Sequence, residues 1–268
     1  MKFSGLRTYA VLYLLFLYAP IVLLPVFAFN SGTVVSFPLQ GFTTDWFAQM
    51  AANTTLRRAL TNSLIIGGSA AVLSTVLAMF AARASARYRF RGKAPVMGFI
   101  MLPLVLPEIM IGGSLLIVLL AMGVKLSILT VILGHVLIAT PYAITILSTA
   151  FSSLDPSLEE AAYDLGETKW STFRRVTLPL VLPAIISSML ISFTISMDEF
   201  IIAFFLAGNE PTLPTYIYSQ LRFPKAIPVI LALGTCLVVA SIALLTLAEY
   251  IRRRGLAKTG AKDSGGFL

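Results

Sequence analysis

Charge is scarce in this chain, and so are cysteine and histidine. Only 12% of the 268 residues are charged, against roughly a quarter in an ordinary soluble domain. The polar surface needed to clothe a soluble body of this length is missing. The single cysteine, Cys236, and the single histidine, His135, both lie inside apolar runs. That excludes a disulfide framework and a Cys/His metal site, so both are read as packing residues. No Gly-x-x-x-x-Gly-Lys-Ser/Thr phosphate loop and no His-Glu-x-x-His pair occurs. Neither ATP hydrolysis nor metal catalysis is therefore expected of this chain.

Apolar sequence is what the chain has in excess, at 57%. A bilayer core some 30 Å thick demands apolar helical runs of about 18 residues or more, because each residue rises only about 1.5 Å. Six such spans are expected, over about 9–29, 59–82, 94–121, 126–151, 181–207 and 227–250. The first is too long for a signal-peptide core and reads as a retained helix. The fold class is accordingly an all-α membrane protein forming one transmembrane domain, with no internal repeat.

The net charge of +8 raises nucleic acid as a partner, but the basic residues sit in short clusters between the apolar runs, as topology signals do. Even Tyr88 and Phe90, interleaved with Arg89, Arg91 and Lys93, read better as an anchor at the membrane edge than as a base-stacking patch. With six spans and both termini on the cytoplasmic side, fifteen of the twenty basic residues fall inside, the bias that sets orientation. The segment 30–58 is then external, with a short amphipathic helix after Trp46 lying along the membrane surface. The basic tail, about 255–268, is expected to be disordered.

Segment 152–180 is the longest internal connection and the only one dense in both charge signs. Pro156 is suited to begin a helix, Glu159 and Glu160 suit its positive first turn, and Ala161 and Ala162 favour continuation. Gly166 can end it with a positive φ. A second short helix over about 169–176 is expected to present Trp170 and Phe173 beside Arg174 and Arg175, until Pro179 limits its continuation. Small residues that permit close approach, next to aromatics flanked by arginine, have the composition of a protein interface.

Three acids fall inside apolar spans: Glu108 after Pro103 and Pro107, and Asp198 with Glu199 in the fifth span. One central acid costs roughly 2.5 to 3.5 kcal/mol to insert, so three need a cavity or a partner. No lysine or arginine lies deep in any span, which points to a cationic substrate, with Ser196 adding a hydroxyl and Trp46 offering an aromatic face to an ammonium group. Protonated acids, acids bonded to amides freed by proline, or pairing with a companion subunit are the bland alternatives, as is an interfacial belt for Trp46. An intramembrane enzyme is disfavoured, because adjacent Asp198 and Glu199 on one helix point apart.

The run Glu160-Ala161-Ala162, then three residues, Gly166, nine residues, and Val176-Thr177-Leu178-Pro179 resembles the EAA motif of permeases in bacterial ATP-binding-cassette importers. Every interval of that motif is met. Beyond it, the stretches 40–44, 88–93 and 192–199 extend a resemblance to the second permease subunit of spermidine/putrescine importers over nearly the whole chain. Val176 replaces the commoner Ile, and Glu199 stands where Asp is frequent. The resemblance implies a type I importer permease fold, with a coupling element over about 155–180 that docks in a cleft of an ATPase. Its implied contacts are Glu160, Ala161, Ala162, Gly166, Trp170, Phe173, Arg174 and Pro179. It further implies a second permease subunit in a heterodimer, two ATPase subunits that bind ATP and magnesium, a periplasmic substrate-binding protein, and residence in the bacterial inner membrane. This chain itself would carry no cofactor, and its substrate would be a polyamine or related organic cation. A different small organic solute remains open, as does a proton-coupled carrier relaying through Glu108, Asp198 and Glu199.

Overall fold

The computed structural model describes residues 2–259. The helices in chain order are α1 (Lys2–Ala28), α2 (Asp45–Ala52), α3 (Thr54–Arg87), α4 (Lys93–Ile100), α5 (Glu108–Ala121), α6 (Ile128–Ser153), α7 (Ser157–Asp164), α8 (Lys169–Thr172), α9 (Leu178–Asp198), α10 (Ile201–Leu206), α11 (Leu213–Gln220) and α12 (Ile227–Thr259). Among the described residues they form two compact units, one of residues 54–218 and one of residues 2–53 with 219–259.

In the larger unit, α3, α6 and α9 pack against one another, and the residues at their seam are small. Ala59, Ser63, Gly67, Ala70, Ala71, Ser74, Ala78 and Ala82 line the buried face of α3, while Ser188, Ser192 and Ser196 repeat every four residues along α9. Helices in lipid gain no hydrophobic drive from burying leucine, so close backbone approach and interhelical hydrogen bonds hold them together. Thr75 and Ser188 share such a bond across α3 and α9 at 3.1 Å. Phe193 packs so closely over Gly67 that a Cβ there would come within 3.1 Å of its ring. Bulkier apolar side chains such as Leu64, Leu73, Phe80 and Leu190 point outward and are exposed.

In the other unit, α12 packs against α1 and α2, with Leu24 lying over Gly234. The expected short helix is α2, which begins at Asp45 and includes Trp46. Within the tail expected from about 255, α12 continues to Thr259, and 260–268 lie outside the described residues.

Two expected spans are broken. Among the described residues five helices are long and apolar enough to cross a membrane, and the 14-residue α5 is a sixth, shorter apolar one. Expected span 94–121 divides into α4, a 3-10 turn at Leu102–Leu104, and α5. Pro103 and Pro107 supply the reason, since each lacks an N–H and biases the preceding residue towards extended backbone. Expected span 181–207 divides between α9 and α10 without any proline. Glu199 adopts an extended backbone, and its carboxylate Oε1 accepts the Ile202 N–H at 2.9 Å, a local bond that competes with helix continuation. Pro141 and Pro183, by contrast, lie within unbroken helices.

Candidate functional site

The 155–180 element is built from its two turns. Asp155 Oδ1 accepts the Ser157 N–H at 2.9 Å, opening α7 just after Pro156. The bonds from Ser157 hold the Asp155 carboxyl below its usual range. Gly166 ends α7 with φ +85° and has nothing within 4 Å of where a Cβ would stand. Backbone conformation, not space, therefore requires glycine there. Thr168 Oγ1 then accepts the Ser171 N–H at 3.2 Å and caps α8. Glu167 is held below its usual range by Ser171 and by Arg175, whose Nη1 reaches Glu167 Oε1 at 2.8 Å.

The second helix does not stop at Pro179. A π-helical turn over Phe173–Thr177 joins α8 directly to α9. Proline cannot donate to the carbonyl four residues earlier and its ring crowds that carbonyl. For Pro179 that residue is Arg175, inside the wider π turn, which accommodates the proline while the helix continues.

Burial divides the motif residues into two faces. Glu160, Ala161, Gly166, Arg174 and Pro179 are exposed, as are Leu165 at 86% and Trp170 at 68%. Ala162 is buried, and so is Phe173 at 7%. The expectation that Phe173 belongs to the outer face is corrected: it joins the core of Ala78, Ala82, Leu147 and Phe151. Arg83 Cζ lies 4.2 Å from the centre of its ring, an attractive cation–π geometry. Trp170 lies beside it at 5.8 Å between ring centres and forms the outer edge of this aromatic step.

The acid that the motif spacing passes over is Glu159. Its carboxylate is buried beside Arg87, whose Nε lies 3.3 Å from Oε2. That N–H is not aimed along the line between them, so the contact is Coulombic and not a hydrogen bond. Arg83 Nη2 is 4.0 Å from Oε1, and Thr177 Oγ1 donates to Oε1 at 2.6 Å. Arg87 Nη2 also donates to the Leu154 carbonyl at 3.3 Å. Removing one member of such a buried set typically costs about 3–5 kcal/mol, since it strands the others. Arg83 and Arg87 stand four apart on one face of α3, but nothing in the sequence links that face to Glu159.

The intramembrane acids behave differently. Glu199 is 7% exposed and committed to the α10 amide, whereas Glu108, in the first turn of α5, and Asp198, at the end of α9, are exposed. Among the described residues neither has an ion-pair partner. Both stand at the breaks, Glu108 opening α5 and Asp198 closing α9, and α5 packs on α10, which follows α9 after Glu199 and Phe200. Ser196 is not a free hydroxyl, for it is buried and its Oγ lies 2.6 Å from His135 Nδ1. His135 is thus more than packing. Trp46 lies in the smaller unit, and its indole Nε1 donates to the Asn30 carbonyl at 2.8 Å. A groove of about 630 Å³ beside α4 and α5 is lined by residues such as Phe99, Leu102, Met110 and Leu133 and holds none of the three acids.

An all-helical membrane body whose connection between α6 and α9 folds into a short two-helix element defines a class to which known proteins also point. Residues 74–255 match the family of binding-protein-dependent transport system inner membrane components, and the chain belongs to that family. It is a multi-pass inner-membrane permease of an ATP-binding-cassette importer. Its relatives include the spermidine/putrescine transport system permease protein PotC of Haemophilus influenzae, 34% identical over 89% of this chain and 93% of that protein. PotC of Escherichia coli K12 is 32% identical over 89% and 90%, and the putrescine transport system permease protein PotI of the same organism is 36% identical over 89% and 87%. In fold, the chain is similar to a subunit of a bacterial transporter that imports the acidic polysaccharide alginate, at TM-score 0.72, 17% identity, and coverage of 94% and 96%. A second such structure, in complex with a periplasmic protein that holds an alginate pentasaccharide, gives TM-score 0.68 at 20% identity and 94% coverage of each chain.

Proposed function

We propose that this chain is one permease subunit of an ATP-driven polyamine importer, contributing half of the path for putrescine, spermidine or a related organic cation. The observation that carries the reading is the pair of carboxylates Asp198 and Glu108, without ion-pair partners among the described residues, at two helix breaks of a permease whose relatives at 32–36% identity are named for polyamines. An acid at bilayer depth is costly unless a partner meets it, and a polyamine carries ammonium groups along a flexible chain. Broken helices at the membrane midplane are where transporters place such sites.

In this reading six segments cross the membrane, with 93–121 as a broken third crossing and both termini cytoplasmic. The 157–177 element then faces the cytoplasm. Its outer face of Glu160, Ala161, Leu165, Trp170 and Arg174 docks on a separate ATPase, which binds ATP and magnesium. A companion permease subunit completes the path, and a periplasmic binding protein delivers the substrate. Closure of two ATPase subunits displaces the element and opens the path outward, and hydrolysis resets it. Glu199 fixes the break and Asp198 reads the charge.

The test is ATP hydrolysis by the complex that co-purifies with this tagged chain, reconstituted in lipid with its binding protein. Putrescine or spermidine should stimulate it several-fold, and the double variant Asp198→Asn, Glu108→Gln should lose polyamine uptake by tenfold or more while the ATPase still co-purifies. Gly166→Val, which forces a β-branched residue into φ > 0 at a cost of about 1–3 kcal/mol, should abolish stimulation, with Gly166→Asn milder. An ATPase that co-purifies but ignores polyamines would leave an importer of another solute; full uptake by the amide variant would remove the acids from the path.

A further inference from the structure

If the outer face of the 157–177 element meets an ATPase, a push on that face has to reach the spans. A short helix pair on flexible joints would tilt under load and transmit little. In this chain the inner face is tied down at one side chain. Glu159 leaves α7 about 100° around the helix from its exposed neighbour Glu160 and enters a buried site formed by two other elements. One is the end of α3, which provides Arg87 at 3.3 Å and Arg83 at 4.0 Å. The other is the π turn leading into α9, which provides the Thr177 hydroxyl at 2.6 Å. Arg83 also covers the ring of Phe173 in that turn, and Arg87 bonds the Leu154 carbonyl at the exit of α6. One carboxylate therefore ties α7 to α3 and α9, and its arginines tie the same point to α6.

We propose that Glu159 is the positioning residue that makes the element and the α3–α6–α9 core move as one body when the ATPase engages it. Simple fold maintenance would not require this arrangement of a charge. A buried ion pair is seldom more stabilising than a well-packed apolar group of the same size. What it provides is direction: a carboxylate held by a hydroxyl and two guanidinium groups resists both rotation of α7 and its sliding along α3, whereas an apolar contact permits sliding. The wide π turn, a form that recurs at functional sites, sits between the point of loading and α9 and would flex without the clamp. This inference rests on the importer reading, and its test separates the two.

The decisive measurement is the ratio of polyamine molecules transported to ATP hydrolysed, in proteoliposomes holding the full complex. Glu159→Gln keeps the shape and loses the charge; the ATPase should still co-purify and hydrolyse ATP, with the transport-to-hydrolysis ratio reduced at least fivefold. A purely structural role would lower both rates together and leave the ratio unchanged. Rescue gives a second readout: with Cys236 replaced by Ala, Arg87→Cys and Glu159→Cys joined by a short cleavable thiol cross-linker should recover the ratio, and cleavage should lose it again. If Glu159→Gln does not assemble, Arg87→Lys, which keeps the charge but not the reach, takes its place and should lower the ratio about twofold. An unchanged ratio in the assembled variant, or a bridge that restores nothing, overturns the clamp. Failure of any ATPase to co-purify with the unaltered chain overturns the importer reading itself and the clamp with it.

Discussion

Glu159 and Asp198 are carboxylates of the same helical unit, yet one is enclosed by two arginines and a hydroxyl while the other stands exposed without an ion-pair partner among the described residues. Near Asp198 the helices break, at 101–107 and at 199–200; near Glu159 they are tied together. A charge satisfied inside the chain serves the chain's own geometry. A charge left unsatisfied at bilayer depth is costly unless something from outside meets it. The difference is the ground on which we propose the first region for force transmission and the second for the transported cation.

Removing each charge outright sets the two regions apart most strongly. Glu159→Ala should destabilise the detergent-purified chain by about 3–5 kcal/mol, because Arg83 and Arg87 are stranded. Asp198→Asn should change stability by no more than about 0.5 kcal/mol, as for an exposed site, while reducing uptake. Thermal unfolding followed beside uptake checks both. An Asp198 variant as unstable as the Glu159 one would mean that the two acids have the same job and would dissolve the comparison.

The aromatic pair sharpens the same contrast within one element. Phe173→Ala empties a core site and should cost about 3–5 kcal/mol of stability. Trp170→Ala, at 68% exposure, should leave stability nearly unchanged and weaken ATPase association by about 2 kcal/mol, the cost of an interface hot spot. Affinity between the purified permease pair and the ATPase, measured for each variant that folds, decides it. Equal loss of affinity from a folded Phe173 variant would blur the two faces.

How far these regions could be read from the residues depends on the range of the signal. Hydropathy located α1, α3, α6 and α12 because each contains a long apolar run, and Pro103 and Pro107 gave notice of a disturbed third segment. The break at Glu199 left no such notice: apolar residues flank it on both sides, and the cause is a side-chain bond to Ile202. Motif spacing found the element at 157–179 but ranked Glu160 above Glu159, since spacing along the chain does not report which neighbour turns inward. Arg83 and Arg87 look like topology anchors until α7 is folded against them. Phe173, surrounded by charged and polar residues in sequence, reads as exposed until Arg83 and Phe151 close over it.

The smallest expected effect lies at Asp155, between the two regions' energetic regimes: charged, exposed, and yet engaged. The Ser157 N–H bond favours the ionised carboxyl and lowers its pKa from the ordinary 3.8, with Arg87 adding a lesser push in the same direction. A lowered folded-state value means that the cap's contribution is fully present above pH 3.8 and is lost as pH falls through the depressed value. Amide exchange at Ser157 should therefore stay slow from neutral pH to about 4 and quicken by a small factor below it, after correction for intrinsic exchange. Asp155→Asn retains an acceptor oxygen without the proton equilibrium, so its exchange should show no such step. The cap sits one turn before Glu159, and Arg87 serves both acids. A step that disappears in Arg87→Gln as well as in Asp155→Asn would make the cap an extension of the Glu159 cluster, whereas a step that survives would leave the start of α7 independent of the site that holds it.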